Sequence, residues 1–242
     1  MLRYILLMAV CCFVQLAIAQ KPASFRLTET TVVKDSSGQV YPYSVWSALM
    51  QSGLYSLKPE DPTNASTAFF IRRMSEDEIA KSKARQAKME AEAPKPREST
   101  FFATGKPISN FKTTDMYGNK YNLKELRGKV VVLNFWFVNC PPCKKEIPEL
   151  NKIVAEYQQQ KDVVFLAIAL DDKAALEEFL KNLPFQYNII DSGMFIAQQY
   201  RITSYPTHVV VDKEGIVKFH TTGLGLGTIK WLRSSIQEAL QQ

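Results

Sequence analysis

The sequence is poor in histidine, in cysteine and in charge of one sign. Two histidines and four cysteines among 242 residues leave little material for metal sites, and none is expected. Lys and Arg number 30 against 24 Asp and Glu, giving a formal charge of +6. That excess is spread along the chain and is too mild to imply nucleic acid as a partner. Gly 10 and Pro 12 exclude a collagen-like or low-complexity chain. Beyond the first 20 residues no apolar run approaches membrane-spanning length. What is present is a hydrophobic fraction of 46% with 11% aromatics, enough for a packed core in one or two domains.

The cysteines fall into two groups, Cys11-Cys12 and Cys140/Cys143. Residues 1–19 begin with Arg3, continue through an apolar run from Tyr4 to Val14 and end Ala17-Ile18-Ala19. A positive start, an apolar middle and small residues before the cut describe a secretory signal peptide. The alternatives are an uncleaved anchor and a lipoprotein anchor on Cys11 or Cys12, for which Val10 before Cys11 is a poor match. Cleavage after Ala19 would leave two cysteines in an exported, oxidising setting.

The remaining chain divides near residue 100. Residues 20–100 read as a small β-rich region followed by a polar helix and linker. Strands are expected at Phe25–Val33, Val40–Val45 and Thr67–Arg72, with a turn at Asp35-Ser36-Ser37-Gly38 and a short helix over 44–52. Ser75-Glu76-Asp77-Glu78 is a capping box opening a helix over 75–92, and Pro94 and Pro96 follow its end. Residues 101–242 alternate strand and helix. A hairpin turns at Tyr117-Gly118-Asn119. Buried strands are expected at Lys129–Trp136 and Asp162–Leu170, and a short one at Phe185–Ile190. Helices are expected after Cys140, at Lys173–Leu183, Met194–Tyr200 and Thr228–Leu240, and a hairpin at Thr207–Val211 and Ile216–His220. The order β-α-β-α-β-α-β-β-α predicts an α/β fold with a mixed central sheet flanked by helices.

Cys140-Pro141-Pro142-Cys143 falls where the first buried strand ends and an amphipathic helix begins. Unpaired backbone N–H groups and the positive end of the helix dipole stabilise an anion at that point. A cysteine there becomes a better nucleophile. Cys140 is expected to be exposed and to attack a partner disulfide, and Cys143, one turn in, to be shielded and to resolve the mixed disulfide. Competing readings are a structural disulfide, a zinc half-site completed by His208 and His220, and an inert thiol pair.

Val132-Leu133-Asn134-Phe135-Trp136 followed by Cys140-Pro141-Pro142-Cys143-Lys144-Lys145-Glu146-Ile147-Pro148-Glu149-Leu150 resembles the thioredoxin-like thiol–disulfide oxidoreductases of the TlpA/ResA type. The resemblance spans roughly 105–240 and includes Ser204-Tyr205-Pro206-Thr207. It implies a thioredoxin fold, with 171–200 as a β/α insertion, and a redox-active Cys140–Cys143 disulfide. It implies that Pro206 is cis and faces the cysteines, and that Tyr205 offers its backbone to a substrate. Trp136, Asn139, Pro141 and Thr207 complete the implied substrate-binding set. Glu146 matches a glutamate of that branch and is expected to accept the Cys143 proton. A solvated glutamate near a helix start is the competing reading. Asn134 stands where classical thioredoxins hold an aspartate, and Asn139 where a tryptophan is usual. His208 is read as a strand residue rather than a base.

The resemblance also implies the partners: disulfide-containing envelope proteins, for example in cytochrome c maturation, and a membrane thiol donor, with no cofactor. Two other readings stand beside it. One is a thioredoxin-fold binding or assembly protein. The other is a peroxiredoxin-like peroxidase, whose nucleophile pattern is missing at Phe137-Val138-Asn139 before Cys140.

Overall fold

The computed structural model describes residues 25–241. The expected signal segment 1–19, with Cys11 and Cys12, lies outside the described residues. The chain forms two compact units, one ending at Ala84 and the other starting at Arg85.

The first unit contains β1 (Val33–Lys34), β2 (Val40–Tyr41), α1 (Tyr43–Gln51), β3 (Tyr55–Pro59) and β4 (Phe69–Arg73), in a sheet of order β2-β1-β4-β3. Val33, Trp46, Phe69 and Ile71 form its core. Three sequence expectations need correction. The strand foreseen at Phe25–Val33 shrinks to β1, because Thr28 and Thr31 bond to each other in a turn. The strand foreseen at Val40–Val45 stops at Tyr41, because Pro42 caps α1. β3 was not foreseen at all. Its Tyr-Ser-Leu-Lys-Pro run is short and ends in proline, which suits an edge strand. The capping box is formed. Ser75 N donates to Glu78 Oε2 (2.9 Å) and Glu78 N donates to Ser75 Oγ (3.3 Å), opening α2 (Glu76–Glu92).

The second unit continues with β5 (Lys112–Thr114), β6 (Lys120–Asn122), β7 (Val130–Trp136), α3 (Pro141–Glu156), β8 (Val163–Ala169), α4 (Lys173–Asn182), β9 (Asn188–Ile190), α5 (Met194–Gln199), β10 (Thr207–Val211), β11 (Val217–Thr222) and α6 (Thr228–Gln241). The sheet order is β11-β10-β7-β8-β9. β8 runs parallel to β7 and β9, whereas β10 is antiparallel to β7 and β11.

β7 is buried along its whole length because both of its faces are covered. Val130, Val132 and Trp136 join the cluster that includes Ile147, Leu150 and Ile153 of α3 and Leu232 and Ile236 of α6. Val131, Leu133 and Phe135 join a second cluster with Ile196 of α5 and Val209 and Val211 of β10. Asn134 interrupts this apolar strand on the α3 face. The strand foreseen at Phe185–Ile190 is shortened to β9. Asn151 of α3 donates to Pro184 O (2.8 Å) and accepts from Gln186 N (2.8 Å), so a side chain replaces the sheet ladder there. β11 is longer than foreseen, since Thr221 and Thr222 pair with His208 and Thr207. Gly193 lets α5 begin against β8: a Cβ there would lie 2.3 Å from Ile168 Cγ2.

Candidate active site

The end of β7 delivers the chain to α3 through Phe137, Val138 and Asn139. Val138 N donates to Asp171 Oδ2 (2.7 Å), and Leu170 N donates to Trp136 O, so the segment after β8 fixes this loop. Cys140 is the N-cap of α3, and its sulfur accepts from Cys143 N (3.3 Å). Pro141 and Pro142 occupy the first helical positions, where a missing N–H costs nothing. The two sulfurs are joined as a disulfide with the Cα atoms 5.3 Å apart.

The expectation that Cys140 is exposed is corrected. In this oxidised form Cys140 is 2% exposed and Cys143 1%. The reason is that the Cys140 sulfur is bonded to Cys143, and both belong to the apolar cluster against which Phe137, Val138 and Tyr205 pack.

Glu146 is not a solvated surface group. It is 2% exposed and lies one turn beyond Cys143, on the face of α3 turned to the sheet. There it meets two buried polar side chains. Asn134 Nδ2 donates to Glu146 Oε1 (3.1 Å) and His208 Nε2 lies 3.0 Å from Glu146 Oε2. Asn134 and His208 are directly opposite on the β7–β10 ladder, and the amide nitrogen is 3.2 Å from His208 Nδ1. Tyr187 is also buried here. Burial first, then the Glu146 charge, push its phenol well above the usual range, and its hydroxyl has no hydrogen-bond partner.

The Tyr205–Pro206 peptide bond is cis and precedes β10. Tyr205 is half-buried, and its ring meets Phe137 edge to face at 5.5 Å. Asn139 and Pro141 are exposed beside Cys140. Trp136 and Thr207 are fully buried and present no surface to a substrate, which removes them as direct contacts. Trp136 packs on Phe179 and Phe185, and Thr207 Oγ1 donates to Ser204 O (2.7 Å), so both support the site from behind. Lys144 and Lys145 are exposed. His208 is a strand residue as expected, but its bond to Glu146 was not foreseen. The signal available was Asn134 inside the otherwise apolar β7 and the polar pair Thr207-His208 opening the apolar β10.

Residues 104–220 match the model of the AhpC/TSA family. The chain is 34% identical over 134 residues to the thiol-disulfide oxidoreductase ResA of Halalkalibacterium halodurans, covering 52% of this chain and 76% of that protein. It is 38% identical over 115 residues to ResA of Bacillus cereus, covering 47% of this chain and 66% of the relative. Two solved structures share the fold. One is from Chlorobium tepidum and assigned as thiol:disulfide interchange protein DsbE, with TM-score 0.52 and 25% identity over 57% of this chain and 99% of that one. The other is from Bacteroides thetaiotaomicron and assigned as a protein disulfide isomerase, with TM-score 0.54 and 26% identity over 58% and 91%. With a paired Cys-Pro-Pro-Cys at the start of α3 and relatives of this kind, the chain belongs to the thioredoxin-like thiol–disulfide oxidoreductases of the TlpA/ResA type.

Proposed function

We propose that this protein is an exported oxidoreductase that reduces disulfides in envelope proteins, with Cys140 as nucleophile and Cys143 as resolving thiol. The observation that carries this reading is the Cys140–Cys143 disulfide at the N-terminus of α3. A fully buried carboxylate one turn further on adds to it.

In the reduced protein the helix dipole and the free N–H groups of the first turn favour the Cys140 thiolate. The thiolate attacks one sulfur of a partner disulfide. That S–S bond breaks, a Cys140–partner bond forms, and the other partner sulfur leaves as a thiolate and takes a proton from water. Glu146 then accepts the Cys143 proton. The Cys143 thiolate attacks the Cys140 sulfur, the intramolecular disulfide forms, and the second partner sulfur departs and is protonated. Two electrons have passed to the partner, and a membrane thiol donor returns them. Cytochrome c precursors with oxidised thiols are one fitting substrate class. Asn139, Pro141 and Tyr205 are the residues that would touch the partner, the last through its backbone.

Export rests on the composition of residues 1–19. Among the described residues no helix is long and apolar enough to cross a membrane. The test is insulin reduction driven by dithiothreitol. The wild-type protein is expected to accelerate precipitation of the insulin B chain, and Cys140→Ser to give the uncatalysed rate. An inactive wild type would refute the reading, and an active Cys140→Ser would refute the role of Cys140.

A further inference from the structure

We propose that His208 is a positioning residue of the redox centre, which holds Glu146 as a carboxylate and so keeps it a base inside an apolar core. This rests on the reading of Glu146 as the acceptor of the Cys143 proton.

A buried carboxylate without donors gives up its charge by taking a proton. A protonated Glu146 could accept nothing from Cys143. The fold therefore needs donors at Glu146, and it supplies two. Asn134 Nδ2 donates to one oxygen and His208 Nε2 sits on the other at 3.0 Å. His208 is 0% exposed and Glu146 2%, so neither group faces bulk solvent.

The network also fixes the state of the imidazole. The Asn134 amide has two N–H groups, one for Glu146 Oε1 and one for His208 Nδ1. Nδ1 is then the acceptor and Nε2 carries the proton that points at Glu146. An imidazolium would set its Nδ1–H against the Asn134 N–H. Turning the amide over relieves that conflict but places Oδ1 against the Glu146 oxygen. With Asn134 Nδ2 facing both partners, all three groups are satisfied when Glu146 is ionised and His208 is neutral, protonated on Nε2. The pair is thus a donor and a base, not a salt bridge.

The other groups around this cluster do not replace His208. Cys143 is on the same helix, and Tyr187, whose hydroxyl has no hydrogen-bond partner, is the remaining titratable neighbour. Thr221, opposite His208 on β11, donates to Arg97 O (2.9 Å). Ala167, opposite Asn134 on β8, is apolar. Lys144 and Lys145 of α3 are exposed.

The test uses the reduced full-length protein carrying Cys11→Ser and Cys12→Ser, loaded with one thionitrobenzoate on Cys140. Release of thionitrobenzoate then reports the Cys143 attack alone. Its rate is followed from pH 5 to 9 in wild type, His208→Leu, His208→Gln and Glu146→Gln. Glutamine places an N–H near the Nε2 position, and leucine places none. The acid limb is expected to move to higher pH in His208→Leu, with a slower release below the wild-type plateau. His208→Gln is expected to keep the wild-type profile. A wild-type profile in His208→Leu, or an equal displacement in His208→Gln, overturns the proposal. An unaffected Glu146→Gln overturns the reading beneath it instead. If His208→Leu fails to fold, nitrogen NMR of the wild-type histidines decides. At pH 7 His208 protonated on Nε2 is expected, and protonation on Nδ1 or on both nitrogens overturns the proposal.

Discussion

Glu146 and His208 stand 62 positions apart in the chain and 3.0 Å apart in the fold, both buried. Two long-range features make that contact. The antiparallel register of β10 on β7 sets His208 opposite Asn134, and α3 crosses the same sheet face with Glu146 pointing in. The carboxylate lies on the helix whose N-cap is Cys140, so the proposed proton acceptor and the proposed nucleophile are separate groups on one element.

Glu146→Gln tests this separation of roles. The amide keeps the shape of the side chain and cannot accept a proton. Resolution by Cys143 is expected to slow by about a hundredfold, at the lower end of what general bases contribute. Attack by Cys140 on an external disulfide should change far less. Stopped-flow measurement of the two steps separates them.

His220 should make stability depend on pH. Its Nδ1 accepts from Ser99 N (3.0 Å), and the residue is 1% exposed. Burial lowers its pKa, Lys95 acts in the same direction, and Glu98 opposes them with a smaller effect than burial. The unfolded chain therefore binds the proton more readily than the folded one. His220's contribution to stability is complete above about pH 6.5 and is lost as pH falls through the folded value. Denaturant midpoints are expected to fall below pH 6.5, with a slope of at most about 1.4 kcal/mol per pH unit from this group. His220→Asn, which keeps an acceptor for Ser99 N without the titration, should flatten that part of the curve.

Core and surface of α3 should respond very differently. Leu150 is 0% exposed and packs in the cluster that holds both cysteines. Leu150→Ala is expected to cost about 2–5 kcal/mol by leaving a cavity. Lys144→Ala, on the exposed face, should stay within about 0.5 kcal/mol of wild type. On α4, removing the Asp172 side chain, which accepts from Ala175 N (2.9 Å), should cost about 1 kcal/mol through the lost cap. Equilibrium unfolding in urea measures all three.

The second unit was far more legible in the sequence than the first. β7 and β8 are long apolar runs covered on both faces, and α3 and α6 carry wide apolar stripes, so periodicity alone located them. The Cys140–Cys143 pair was legible from its place at a strand-to-helix junction. The first unit rests on strands of two to five residues, where Thr28, Thr31 and Pro42 decide the ladder and no periodicity can develop. β9 is shorter than its apolar run for a related reason, since Asn151 takes over the bonding of Pro184 and Gln186 from α3. The Asn134–Glu146–His208 cluster depends on β7–β10 register and the crossing of α3, neither of which is written locally. Its sequence trace is Asn134 inside the apolar β7 and His208 beside Thr207 at the start of the apolar β10.

In the proposed cycle Cys140 attacks and Cys143 resolves. Reduced Cys143→Ser protein mixed with a disulfide-bonded peptide, then digested and analysed by mass spectrometry, tests it most directly. A stable adduct on Cys140 is expected in this variant, and only the internal disulfide plus reduced peptide in wild type. Absence of an adduct on Cys140, or adduct formation at an equal rate on Cys143 in Cys140→Ser, would contradict it.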